Sequence, residues 1–116
     1  MAERKTVLVV DDDYSGHDLS EELECIGFNA VYFKRGDDAY DAILEGLKYD
    51  LAVIDMSLPG SRSGRDVIAI SKSRHPDVNV LSFSGYDNVT SQANVHIRKG
   101  SVSIDSFIDI IKCQLM

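Results

Sequence analysis

Cysteine is scarce in this chain. Cys25 and Cys113 are the whole complement, far apart and without Cys-x-x-Cys or Cys/His ligand spacing. That excludes a disulfide framework and a zinc ribbon, and leaves two reduced thiols in helices as the expectation. Positive charge is also in deficit: 12 Lys and Arg stand against 19 Asp and Glu, a net charge of -7. The cations are scattered, so the clustered basic surface that a phosphate backbone requires is missing and a nucleic-acid partner is not expected. No apolar run approaches the roughly 18 residues of a membrane span, and the opening Met-Ala-Glu-Arg-Lys-Thr has no stretch apolar enough for a secretory signal. A cytoplasmic protein that does not engage a membrane is therefore expected. There is no internal repeat, low-complexity tract or linker. With 44% hydrophobic and 27% charged residues, the 116-residue chain has the composition of one folded domain, 1–116, with a single core.

Short apolar runs that stop abruptly at polar groups are what the sequence does contain. Leu51-Ala-Val-Ile54 runs into Asp55 and then Leu58-Pro59-Gly60, and Thr6-Val-Leu-Val-Val10 runs into Asp11-Asp12-Asp13. Unbroken runs of this length read as strands buried on both faces of a parallel sheet. Ala30 to Phe33, Val78 to Phe83 and Val95 to Ile97 give three further strands. Between them the period becomes helical. Leu19, Leu23 and Ile26 share one face, with Gly27 as C-terminal cap and Ser15 or Asp13 as N-cap. Ala39, Ala42, Ile43 and Leu47 make a second face, and Val67, Ile68 and Ile70 a third, which ends before His75-Pro76. Ile104, Phe107, Ile108, Ile111 and Leu115 make the clearest amphipathic stripe. Ile110 and Met116 fall off that stripe and are candidates for a partner surface, while His17 and His75 read as surface residues. Alternation of strand and helix implies an α/β fold, a flavodoxin-like doubly wound five-stranded parallel sheet of order 2-1-3-4-5. One crossover is short. Only residues 84–94 separate Phe83 from Val95, against the dozen or more that a crossover with a helix needs, and Asp87 to Asn94 favours turns. A short or disordered fourth helix, at most one or two turns in a mobile segment, is expected there.

In such a sheet the strand ends meet on one edge. Asp11 and Asp12, Asp55, Ser84 and Lys99 close four of the five strands. Three crowded carboxylates repel one another unless a cation neutralises them, and a hard divalent ion with oxygen ligands, Mg2+ before Ca2+, suits the donor set. Lys99 and Ser84 offer the positive charge and the hydroxyl donor that phosphoryl oxygens require. Asp55 is then a candidate nucleophile for an aspartyl-phosphate. Asp13 reads as a helix cap rather than a ligand.

These motifs, in this order and over nearly the whole chain, resemble the receiver domain of two-component response regulators. The resemblance implies that Asp55 accepts a phosphoryl group from a phosphohistidine on a sensor histidine kinase or histidine phosphotransfer protein. It further implies Mg2+ held by Asp11, Asp12, Asp55 and the backbone carbonyl of Ser57, with Ser84 and Lys99 on the phosphoryl oxygens. His96 would occupy the aromatic switch position, and the residues two past Asp55 and two past Ser84, Ser57 and Tyr86, would tune dephosphorylation. Such a domain is a signalling switch rather than an enzyme with its own substrate.

The sequence departs from the family pattern in the loop Pro59-Gly-Ser-Arg-Ser-Gly64, about one residue longer and without an acidic residue, in Gly100 where proline commonly follows the lysine, in the short interval from Ser84 to Lys99, and in His at position 96. His96 as a half-buried gap-filler stands level with His96 as a switch. Two competing functions are a pseudo-receiver that binds partners without phosphorylation, and a Mg2+-dependent phosphohydrolase. The second would want an acid two residues after the nucleophile, where this chain has Ser57.

Overall fold

The five apolar runs form strands β1 (Thr6–Val10), β2 (Asn29–Phe33), β3 (Leu51–Asp55), β4 (Asn79–Ser84) and β5 (Val95–Arg98), and the amphipathic stretches form helices α1 (Tyr14–Cys25), α2 (Gly36–Leu44), α3 (Gly64–Arg74) and α4 (Ile104–Leu115). The computed structural model describes residues 4–58, 60–84, 93–98, 100 and 102–115. Every strand pairing is parallel, and the order is β2-β1-β3-β4-β5. The expected short fourth helix after β4 falls on residues outside those described.

Alternation along the strands feeds two cores. Val7, Val9, Leu51, Val53, Leu81 and Phe83 pack under Leu19 and Leu23 of α1 and Ile108 and Ile111 of α4. Leu8, Val10, Ala52, Ile54 and Val80 pack under Ala39 and Ile43 of α2 and Val67 and Ile68 of α3. The central strands β1 and β3 are apolar at every core position because both faces are covered, whereas β2 and β5, at the sheet edges, are only partly buried.

Helix ends explain most departures from the expected pattern. Ile26 lies beyond α1 and is 43% exposed, because the chain turns at Gly27 (φ 102°) and Phe28 N–H bonds back to the Leu23 carbonyl. Leu47 lies past the end of α2 and packs against the second core from the following loop. Ile104, the first residue of α4, is 41% exposed. Ile110, by contrast, packs against the first core instead of facing outward; Met116 is outside the described residues. His75 is half-buried and partnered rather than free at the surface. Its Nε2 lies 2.9 Å from the Leu47 carbonyl oxygen, and its ring meets Tyr49 edge to face at 4.9 Å. Cys25 and Cys113 are exposed free thiols in helices, as expected. Among the described residues no helix is long and apolar enough to cross a membrane.

Candidate functional site

Because β1 and β3 are adjacent and run in the same direction, with Val10 beside Ile54 in register, their acidic ends arrive side by side. Asp11, Asp12 and Asp55 each offer a carboxylate oxygen, and these atoms all lie within 4.8 Å of one another. Asp11 and Asp55 are 0% and 1% exposed, while Asp12 faces solvent. Two buried carboxylates beside a third in one small volume is an arrangement that burial alone would not select. An oxygen-only, anionic donor set open to water on one side matches what a hard divalent cation takes, so these residues fit Mg2+.

Local hydrogen bonds fix the cluster. Asp55 Oδ1 accepts from Ser57 N–H at 2.9 Å, and Asp11 Oδ1 accepts from Asp13 N–H at 3.3 Å. Asp13 directly precedes α1. Met56 N–H bonds to the Phe83 carbonyl, which ties the residue after Asp55 to β4. Ser84, fully buried, ends β4 opposite Arg98 in register, and so stands at the same edge of the sheet. Lys99 and Tyr86 lie outside the described residues.

His96 lies two residues inward along β5. Its register partner is Ser82, the side chains share one face, and Nδ1 is 2.7 Å from the Ser82 hydroxyl. Nε2 is buried with no hydrogen-bond partner among the described residues. His96 therefore bonds to the serine one sheet repeat behind Ser84. That serine drew no notice in the sequence, because a lone hydroxyl inside an apolar strand has no spacing signal.

Three other contributors were not legible as site residues. Tyr32, on edge strand β2, donates its phenol to the Asp11 carbonyl at 2.8 Å. Burial first, and then the Asp11, Asp13 and Asp12 charges, push its pKa up, so it remains a donor at neutral pH. Gly16 lies against Asp11: a Cβ there would meet the Asp11 side chain. Gly64 opens α3 directly on the backbone of Asp55 and Met56, which a Cβ would strike. A glycine in the first turn of a helix, where it is a poor helix former, is the signal that could have found the last two. His17 is exposed as expected but not partnerless, with Nε2 3.5 Å from Glu21 and Nδ1 3.9 Å from Asp18. Those three side chains form a second group at metal-ligand distance, but all are exposed, and an i,i+4 surface ion pair accounts for them.

No protein-family model and no curated protein matches the chain. Solved structures do. The chain is similar to a CheY-like response regulator receiver domain protein from Methanospirillum hungatei, with a TM-score of 0.84 and 23% identity over 97% of this chain and 94% of that one. It is also similar to the response regulator TrrA from Thermotoga maritima, solved in complex with Mg2+ and BeF, at 0.81 and 27% identity over 96% and 99% of the two chains. A Francisella response regulator receiver domain aligns at 0.81 and 22% identity over 97% of each chain.

Proposed function

We propose that this chain, which shares the fold of CheY-like response regulator receiver domains, is a phosphoacceptor switch that takes a phosphoryl group from a phosphohistidine onto Asp55. The observation that carries the reading is the convergence of the Asp11, Asp12 and Asp55 oxygens within 4.8 Å at the end of two buried strands. Asp11, Asp12, Asp55 and the Ser57 backbone carbonyl would hold Mg2+. When bound, Mg2+ supplies positive charge that offsets the carboxylates and the incoming phosphoryl oxygens.

The Ser57 N–H on Oδ1 orients the Asp55 carboxylate. One carboxylate oxygen attacks phosphorus in line; a P–O bond forms as the P–N bond of the donor breaks, and the departing imidazole takes up a proton. The Ser84 hydroxyl and the Lys99 ammonium bind the equatorial oxygens. The phosphoryl charge then draws on Ser84, and His96 leaves its Ser82 hydrogen bond as the end of β5 rearranges, which shifts the equilibrium towards a conformation that binds a partner. Ser57 and Tyr86 set water access to the acyl phosphate. The donor is a sensor histidine kinase or a histidine phosphotransfer protein, the setting is cytoplasmic, and the chain turns over no substrate beyond its own phosphorylation and dephosphorylation.

Beryllofluoride, a phosphoryl mimic, tests the reading without a kinase. A ligand at 100 times its Kd stabilises by about 2.7 kcal/mol, which for a domain of this size is roughly 10 °C in Tm. A rise of about that size with Mg2+ and beryllofluoride together, and a smaller one with Mg2+ alone, is the expected result of a thermal melt. No shift with both present would overturn the reading in favour of a partner-binding module without phosphorylation.

A further inference from the structure

The loop that follows Asp55 contains no acidic side chain of its own, yet a carboxylate grips it from another element. Asp37, in the first turn of α2, accepts hydrogen bonds from the backbone N–H of Arg62 at 2.7 Å and of Ser61 at 3.3 Å. Arg35 Nη2 lies 3.3 Å from the same carboxylate. The Arg62 peptide is held on its other side too: Gly36 packs so closely that a Cβ there would strike the Arg62 carbonyl. One turn further along α2, the Tyr40 ring carries the Arg62 guanidinium 4.0 Å from its centroid. α2 thus contacts Arg62 at its N–H, its C=O and its side chain.

That loop runs from Asp55 to Gly64. Its near end is fixed by Ser57 N–H on Asp55 and Met56 N–H on Phe83. Past Arg62, the Ser63 and Asp66 capping box starts α3, and Gly64 returns the chain onto the Asp55 backbone. Ser57 belongs to the same loop, and the groups that hold a ligand's segment in place orient the ligand itself.

We infer that Asp37 is a positioning residue for the phosphoacceptor site: by clamping the Ser61 and Arg62 amides it sets the loop conformation that aims the Ser57 carbonyl at the cation. The inference rests on the receiver reading above, since it takes that carbonyl as a ligand. The carboxylate is ionised throughout the neutral range, because the Arg62 N–H first, and then the Ser61 N–H, hold its pKa below the ordinary value of 3.8.

The test compares the wild-type chain with Asp37→Ala and Asp37→Asn. Amide exchange without metal reads the clamp, and a Mg2+ titration followed by the Ser57 amide resonance reads the site. Both variants should speed exchange at Ser61 and Arg62. Asp37→Ala should weaken Mg2+ binding about tenfold, at the low end of what outer-shell substitutions cost, and Asp37→Asn, which keeps one acceptor oxygen, should fall between. In wild type the Arg62 amide resonance should titrate with a midpoint below 3.8, and in Asp37→Asn it should not. Faster exchange with unchanged Mg2+ affinity in both variants would overturn the positioning role while leaving the receiver reading intact. Absence of Mg2+ binding by wild type would overturn both. Should Asp37→Ala fail to fold, the Asn variant carries the same comparison.

Discussion

Asp55→Asn is expected to leave no phosphoryl acceptor in the chain and, in the absence of metal, to raise its stability. Asparagine has nearly the shape of aspartate and keeps the oxygen that accepts from Ser57 N–H at 2.9 Å, so packing at this 1% exposed position is preserved. What changes is charge. With its oxygens within 4.8 Å of those of Asp11 and Asp12, the Asp55 carboxylate adds a third like charge to one small volume, and its removal should relieve like-charge repulsion there. Denaturant unfolding in chelator should show the variant more stable than wild type, and addition of Mg2+ should narrow or reverse the gap. If Asp55 were an ordinary turn carboxylate, the substitution would cost a little stability with or without Mg2+.

Gly64→Ala is expected to produce the largest loss of stability at the site, about 2–4 kcal/mol. The added methyl would meet the carbonyl oxygen and carbon of Asp55 and the Cα of Met56, all of them backbone atoms that cannot rotate away as a flexible side chain can. The start of α3 must move off the end of β3, and the Asp55 peptide must move with it, so Mg2+ affinity should fall together with stability. Gly46→Ala is the contrast. Gly46 has φ 106° and open space around its Cα, so alanine there meets only left-handed strain of about 1–2 kcal/mol and should leave Mg2+ affinity unchanged. Parallel denaturant curves and Mg2+ titrations of the two variants separate a close approach at the site from a simple turn requirement.

How much of this was legible in the sequence depended on whether a residue's partners are set by period or by tertiary contact. Leu51 to Ile54 and Val7 to Val10 announced buried central strands because both faces of those strands are covered, and once the sheet order followed, Asp11, Asp12 and Asp55 had to share an edge. Periodicity was less informative at helix ends. Ile26 and Ile104 fit their helical stripes and yet are exposed, since one lies beyond the last turn of its helix and the other opens the first. The Asp37 clamp was invisible because its donors are backbone amides more than twenty residues away in the chain, and backbone amides have no residue type to read. The bond between Ser82 and His96 was hidden for a related reason: it is set by strand register, which no single strand encodes.

Intact mass after incubation with acetyl phosphate and Mg2+, followed by peptide mapping, tests the central assignment most directly. The account predicts one phosphoryl adduct per chain, located on the peptide that contains Asp55 and lost when a chelator replaces Mg2+. An adduct on another residue, an adduct indifferent to the chelator, or no adduct from either acetyl phosphate or a phosphorylated histidine donor would contradict it.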